Sequence, residues 1–405
     1  MSSHLIPIAN PFRPGAGHRP PYLAGRDFEI EEFKRLLRQS VILENLVLTG
    51  LRGVGKTVLM DTLKPNAIQA GWLWVGTDLS EAASLSESNI ATRLLADLSV
   101  ITSSLTIGSE PVRDLGFTTR NDEVEVRLSY ENLSYFFEST PGLVADKLKA
   151  VMEMVWGLLS AQNSRGVIFA YDEAQNLSDH AKKEELPLSL LLDVFQSIQR
   201  KNIPMMLLLT GLPTLFPKLV EARTFAERMF RVVTLSRLSP PDSRDAILKP
   251  IAKGKSPVKF DEPSIESIIE VSGGYPYFIQ FICREVYDVF IQKTDGGEDA
   301  SVPVNAIIRK LDTDFFSGRW ARATDRQRDI LIVAAHLPRS DSEFTVQEIV
   351  EKSSELLKKP FSASHATQML TSLAEAGLVY KNRHGRYLFA VPLLGNFILR
   401  QLKET

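Results

Sequence analysis

Short unbroken apolar runs alternate along the chain with longer stretches whose apolar positions recur every three to four residues. Val41-Ile42-Leu43 with Leu46-Val47-Leu48, Trp72-Leu73-Trp74-Val75-Gly76, Val167-Ile168-Phe169-Ala170-Tyr171, Met205-Met206-Leu207-Leu208-Leu209 and Arg231-Val232-Val233-Thr234-Leu235 have strand length and predict five strands. Between them, Ile30, Phe33, Leu36 and Leu37 fall at helical spacing behind Asp27, a fair N-cap. Val58–Leu63 and Leu188–Ile198 read as further helices. Residues 80–165 look mainly helical around a polar, loop-like stretch at Arg113–Glu125. Strands alternating with helices predict an α/β fold with a parallel sheet covered on both faces.

Pro240-Pro241 marks a boundary, after which the strand-length runs stop. Ser243–Ala252, Pro263–Ser272 and Tyr277–Gln292 read as short helices around Gly273-Gly274-Tyr275-Pro276, followed by a polar linker at Thr294–Asp299. From about Trp320 the pattern changes again. Arg326–His336, Thr345–Lys352 and Ser364–Ala376 read as helices, the last closed by Gly377 in the usual C-cap position. Leu378–Lys381 and Arg386–Val391 then form a hairpin across Asn382–Gly385. Three helices and a hairpin in this order suggest a winged helix. The expected domains are therefore an extended Pro- and Gly-rich arm (1–22), an α/β core (23–240), a small helical lid (241–318) and a C-terminal winged helix (319–405). No repeat of solenoid period is visible.

Composition changes little. The 405 residues are 44% hydrophobic and 24% charged with a formal net charge of −2, so no global pull toward nucleic acid or membrane is expected. Cys283 is the only cysteine, which excludes an intrachain disulfide and a cysteine-built zinc site and fits a reducing cytoplasm. Neither a signal peptide nor a membrane-spanning run is expected.

The chemistry concentrates where two strands end. Gly50 to Thr57 read GLRGVGKT, the phosphate-loop pattern, between an apolar strand and a helix. Glycines at 50, 53 and 55 permit a loop whose successive N–H groups point inward and cradle phosphate oxygens, aided by the positive end of the following helix. Gly50, Arg52, Gly53, Val54, Gly55, Lys56, Thr57 and Val58 are thus candidate contacts to ATP. Lys56 would meet the β- and γ-phosphates, and the Thr57 hydroxyl would ligate Mg²⁺. The run Val167–Tyr171 closes on Asp172-Glu173, an apolar strand ended by two carboxylates. Asp172 would hold Mg²⁺, and Glu173 would act as general base on the attacking water. Taken singly, a glycine turn or two solvated acids would read the same way; the pair is what carries the reading.

With these pieces placed, the chain resembles the AAA+ and STAND branches of the P-loop ATPases, with a core similar to that of origin-recognition initiators. The motifs that carry the resemblance span roughly residues 20–290. It implies that Tyr22, Leu23 and Arg26, in Pro21–Asp27, contact the base. It also implies that Thr210, at the fourth strand's end, is a polar sensor, and that an arginine of EARTFAERMFR acts on a neighbouring subunit's nucleotide. Arg228 is favoured there, then Arg231, with Arg223 also in the segment. Gly274-Tyr275-Pro276 stands where typical AAA+ lids place an arginine and looks like the STAND form, in which Pro276 packs on the adenine. That implies slow hydrolysis and a switch rather than a fast motor.

From Arg319 onward thirteen Lys and Arg face nine Asp and Glu. Lys381, Arg383, His384 and Arg386 on the expected wing offer charge to phosphates, whereas the expected recognition helix offers His365, Gln368 and Thr371 but no basic residue. Two readings stand. One is an ATP-binding, slowly hydrolysing switch that controls lid and winged-helix orientation and assembly with a protein partner. The other is an ATPase that oligomerises on or remodels double-stranded DNA.

Overall fold

A computed structural model describes residues 10–404 apart from 16, 112–122, 181–182, 255–257, 297–302, 339–342 and 384. Its strands are β1 (Asn45–Gly50), β2 (Trp72–Val75), β3 (Thr106–Pro111), β4 (Glu123–Arg127), β5 (Gly166–Tyr171), β6 (Met205–Gly211), β7 (Phe230–Leu235), β8 (Phe344–Thr345), β9 (Val379–Arg383) and β10 (Arg386–Phe389). The chain forms two compact units, one from residues 28–49 and 59–234, the other from 1–27, 50–58 and 235–405.

The first unit holds a five-stranded sheet of order β2-β5-β6-β1-β7. β5 pairs in parallel with β2 and β6, and β6 with β1, in register Leu46↔Leu208 and Val167↔Met205. β1, β5 and β6 are buried along their whole length, as central parallel strands covered on both faces must be. Alternation along β5 sends Val167, Phe169 and Tyr171 into one cluster with helices Glu87–Thr102, Val144–Ser160 and Pro187–Arg200. The Phe169 and Phe195 rings meet edge to face at 5.0 Å within it. Helix Asp27–Leu37 packs Phe33 against Trp74 and accepts the Trp72 indole N–H at the Leu37 carbonyl, 3.2 Å away. Asn45, buried at the start of β1, accepts from the Leu207 amide (2.7 Å) and exchanges hydrogen bonds with Gln199.

The second unit is built on one continuous hydrophobic cluster that runs from Phe12 to Ile398. Pro240-Pro241, expected as a boundary, are the first two residues of helix Pro240–Lys253, with Ser239 as its cap. Proline suits those positions because the first helical N–H groups have no intrahelical acceptor. Helices Glu262–Ser272 and Pro276–Gly296 follow, so the described part of the expected linker at 294–299 is helical. Val304–Leu311 leads through a π-helical turn, Asp312–Ser317, into Gly318–Ala321. Helices Asp325–Ala335, Val346–Leu356 and Ala363–Glu375 come next, then a small sheet of order β8-β10-β9 and helix Leu394–Glu404. The arm is not free: Phe12 packs between the Phe260 and Tyr287 rings at 6.4 and 6.2 Å, and the Asn10 amide donates to Asp288 at 2.8 Å.

Residues 80–165, expected as mainly helical, also contain the antiparallel β3–β4 pair. Most of the expected loop at 113–125 lies outside the described residues, as does His384. Val41, Ile42 and Leu43, expected in the first strand, precede it.

Candidate functional site

The loop between β1 and helix Lys56–Gln69 is shaped by different demands at different glycines. A Cβ at Gly50 would sit 2.6 Å from the Leu235 carbonyl oxygen and 2.9 Å from a Val54 methyl, so space excludes a side chain there. At Gly55 a Cβ would meet nothing within 4 Å; the backbone angle, φ +92°, is what excludes one. Val54 is buried. The Lys56 ammonium donates to the Gly50 and Leu51 carbonyls, both at 3.0 Å, which holds it at the loop. The Tyr277 N–H, in the first turn of helix Pro276–Gly296, donates to the Gly53 carbonyl at 3.1 Å.

Arg26 is buried, and its guanidinium donates to the carbonyls of Val54 (2.9 Å), Ser236 (2.8 Å) and Gly25 (3.3 Å). It thus ties the loop to the residue that follows β7. Tyr22 lies under Lys249, whose ammonium is 4.4 Å from the ring centroid and donates to the phenol oxygen at 2.8 Å. Asp245 first, then Tyr22, push the Lys249 pKa up. Leu23 beside it is half-buried, and Pro276 is the first residue of its helix. Gly273 and Gly274, at φ +57° and +76°, turn the chain ahead of that proline. A Cβ at Gly17 of the arm would come 3.7 Å from the Thr57 methyl, so Tyr22, Leu23, Arg26, Pro276 and Gly50–Val58 all belong to one unit.

The acid pair belongs to the other unit. Asp172 is buried at the end of β5; it accepts from the Thr210 hydroxyl and from the Glu173 amide at 2.8 Å. Its backbone is bridged to the segment after β2, the Leu79 amide donating to the Asp172 carbonyl at 2.9 Å. Glu173 is exposed and left-handed at φ +50°, a conformation costing about 1 kcal/mol for a residue with a Cβ. Gln175 donates to its carboxylate and accepts from the Leu212 amide at 3.1 Å. Lys218 donates to the Gln175 carbonyl at 2.7 Å, and burial pushes its pKa down. Directly before the pair, the fully buried Tyr171 phenol donates to Asp97 at 2.7 Å, and Arg93 grips the same carboxylate. Burial pushes the Tyr171 pKa well up, with the Asp97 charge adding to it.

Gln175, Lys218 and Asp97 were not among the residues expected from sequence. Gln175 follows the acid pair closely enough to be sought there; the other two are brought in by helices with no motif of their own.

The three candidate arginines fare differently. Arg223 donates through Nε and Nη2 to Asp193 (2.9 and 2.7 Å), and Arg231 pairs with Glu32. Arg228 is exposed and makes no ion pair among the described residues. In the C-terminal segment, His365 rests on Phe361 at 5.2 Å between ring centroids, while Gln368 and Thr371 are exposed. Lys381 is exposed on β9, which Arg383 ends, and Arg386 lies 3.7 Å from Glu343.

The chain has an α/β fold with a five-stranded parallel sheet flanked by helices, a glycine loop after β1 and an acid pair after β5, and this fold matches that of AAA+ ATPases. The chain is similar to a Walker-type ATPase of Pyrococcus abyssi, at 16% identity and a TM-score of 0.58 over 94% of this chain and 97% of that one. It is also similar to the ADP form of the ORC2 protein of Aeropyrum pernix, at 13% identity and a TM-score of 0.56 over 96% and 97%. Residues 313–398 match a family described as a domain of unknown function, DUF8462. No curated protein matches the chain. Among the described residues no helix is long and apolar enough to cross a membrane.

Proposed function

We propose that the chain is a cytoplasmic ATPase working as a nucleotide-held switch, with an α/β core, a helical lid and a C-terminal winged helix. The observation that carries this reading is the Tyr277 amide on the Gly53 carbonyl, because the loop suited to phosphates is hydrogen-bonded to the first turn of a lid helix. Phosphate entry and the position of that helix are then linked, and a ligand shifts such an equilibrium by its differential affinity for the two states.

In this reading the amides of Gly50–Val58 and the Lys56 ammonium hold the triphosphate, while Tyr22, Leu23 and Pro276 face the base. Arg26 acts on the loop by holding the Val54 carbonyl. Thr57 and Asp172 would bind Mg²⁺, which neutralises charge on the β- and γ-phosphates. Both supply hard oxygen donors, and Asp172 is already oriented by two hydrogen bonds. Among the described residues no three metal-binding side chains gather at one point, which suits an ion completed by phosphate and water. Glu173 takes the proton of the attacking water and Thr210 orients its neighbour Asp172. With no arginine in Gly273–Pro276, turnover is expected well below the ~10 s⁻¹ typical of enzymes.

Titration with a fluorescent nucleotide tests the site. Lys56→Ala should weaken binding at least 100-fold, and unchanged affinity would reject the assignment. Glu173→Gln should bind normally and lose turnover by ~10²-fold or more; normal phosphate release would remove Glu173 as the base.

A second reading, an ATPase that oligomerises on duplex DNA, is favoured by Arg228, the one arginine of its segment left without an ion pair among the described residues. It predicts a larger particle with ATP and DNA binding that falls steeply with salt. A monomer under both conditions that leaves DNA unshifted at low salt would dismiss it.

A further inference from the structure

Gln175 is tied into the acid site at three points. Its side-chain amide donates to the Glu173 carboxylate, its side-chain oxygen accepts the Leu212 amide at 3.1 Å, and its backbone carbonyl accepts the Lys218 ammonium at 2.7 Å. The chain around it is fixed as well. Ala174 and Leu177 are buried, and the Asn176 side chain donates to the Leu79 carbonyl at 2.9 Å. Gly211 supplies the room: a Cβ there would lie 2.6 Å from the Gln175 side-chain oxygen and 2.9 Å from a Leu215 methyl. No positive φ calls for glycine at that position; the space does.

Both carboxylates of the pair are thus held from the end of β6. Thr210 holds Asp172 directly; Leu212, two residues on, holds Gln175 and through it Glu173. An exposed glutamate has many rotamers, few of which put an oxygen at a given water. A charge-assisted hydrogen bond to one carboxylate oxygen selects among them and leaves the other oxygen for a proton. An amide suits the task, because it donates without the positive charge that would favour the ionised carboxylate and weaken it as a base. Lys218, half-buried, sits on the Gln175 backbone carbonyl and makes no ion pair among the described residues. Burial pushes its pKa down against the pull of Asp179 and Glu221.

We propose that Gln175 is a positioning residue, seated by Gly211 and Lys218, that sets the Glu173 carboxylate at the attacking water while Thr210 sets Asp172. This rests on the reading of Glu173 as the base. The chemical step is unchanged: Glu173 takes the proton of the water, and Gln175 touches no reacting atom. Its loss should slow the step and leave nucleotide binding alone, since its three hydrogen bonds are made to Glu173, Leu212 and Lys218.

Steady-state ATP hydrolysis by the full chain tests this. Gln175→Ala should lower kcat about tenfold or more with KM within about twofold of the parent. Gln175→Glu keeps an acceptor for the Leu212 amide but sets a second carboxylate against Glu173, and should lower kcat at least as far; it carries the test if Gln175→Ala does not fold. Gly211→Ala adds a methyl where the Gln175 oxygen sits and should lower kcat in smaller degree. The decisive readout is coupling. In a Glu173→Gln chain, Gln175→Ala should change the remaining turnover by less than about twofold, because the group it positions is gone. A kcat within about twofold of the parent in both Gln175 variants, a KM that rises while kcat holds, or an equal loss with and without Glu173 overturns the proposal. Glu173→Gln alone separates the failures. If it loses turnover while the Gln175 variants keep the parent kcat, the base reading stands and this one falls. If it hydrolyses ATP normally, both fall.

Discussion

The phosphate loop and the acid pair handle charge by opposite means. Around the loop the backbone does most of it: glycines set the path, carbonyls hold Lys56 and Arg26, and an amide of Tyr277 fastens Gly53. Around the acid pair side chains do it: Thr210 on Asp172, Gln175 on Glu173, and Tyr171 and Arg93 on the buried Asp97. A backbone device tolerates loss of a side chain and suffers from gaining one. A side-chain device suffers from loss, most of all at Asp172 and Asp97, where the group removed strands a buried partner.

The largest expected effect of that asymmetry is at Asp97. Asp97→Ala leaves the Tyr171 phenol without an acceptor and the Arg93 guanidinium without its carboxylate. Arg93 is half-buried and can turn to water, so the stranded phenol sets the cost at about 1–3 kcal/mol. Denaturant unfolding reads this, and a loss under ~1 kcal/mol would mean that the network does not support the end of β5. Tyr171→Phe removes one hydrogen bond from the same carboxylate and should cost about 1 kcal/mol.

Gly50→Ala probes the loop from the other side. Its new methyl would meet the Leu235 carbonyl and a Val54 methyl, neither the far end of a flexible chain, and overpacking of this sort costs about 1–3 kcal/mol. Nucleotide affinity should fall with it. Lys56→Ala, which only deletes, should leave the unfolding midpoint within about 0.5 kcal/mol of the parent while binding is lost. A Lys56→Ala chain destabilised as much as Gly50→Ala would erase the distinction between the two devices.

What was legible in sequence follows the same divide. Glycine spacing announces a backbone device, so GLRGVGKT marks its own loop in the sequence. Buried runs such as Val167–Tyr171 announced the central strands, because parallel strands covered on both faces have no polar alternation. β3 and β4 were missed because Thr106–Pro111 and Glu123–Arg127 are too polar to form an apolar run. Pro240-Pro241 stand a few residues past the division between the two units at 234/235 and also start a helix, as proline in the first turn can. The side-chain devices were invisible for a different reason. Asp97 meets Tyr171 across 74 positions of chain, and Lys218 meets Gln175 across 43.

The smallest effect lies at Thr49, the residue before the loop. Its hydroxyl is fully enclosed and has no hydrogen-bond partner among the described residues, unlike Thr210 at the equivalent end of β6, which donates to Asp172. An enclosed hydroxyl without a partner carries its desolvation cost uncompensated, and an apolar group of the same shape removes that cost. Thr49→Val should therefore be neutral or stabilising by up to ~1 kcal/mol, with turnover and affinity unchanged. The same change at Thr210 removes a bond to Asp172 and should lower both stability and turnover. If Thr49→Val instead slows hydrolysis at full stability, the hydroxyl takes part in the chemistry. Side-chain chemistry then begins one residue ahead of Gly50.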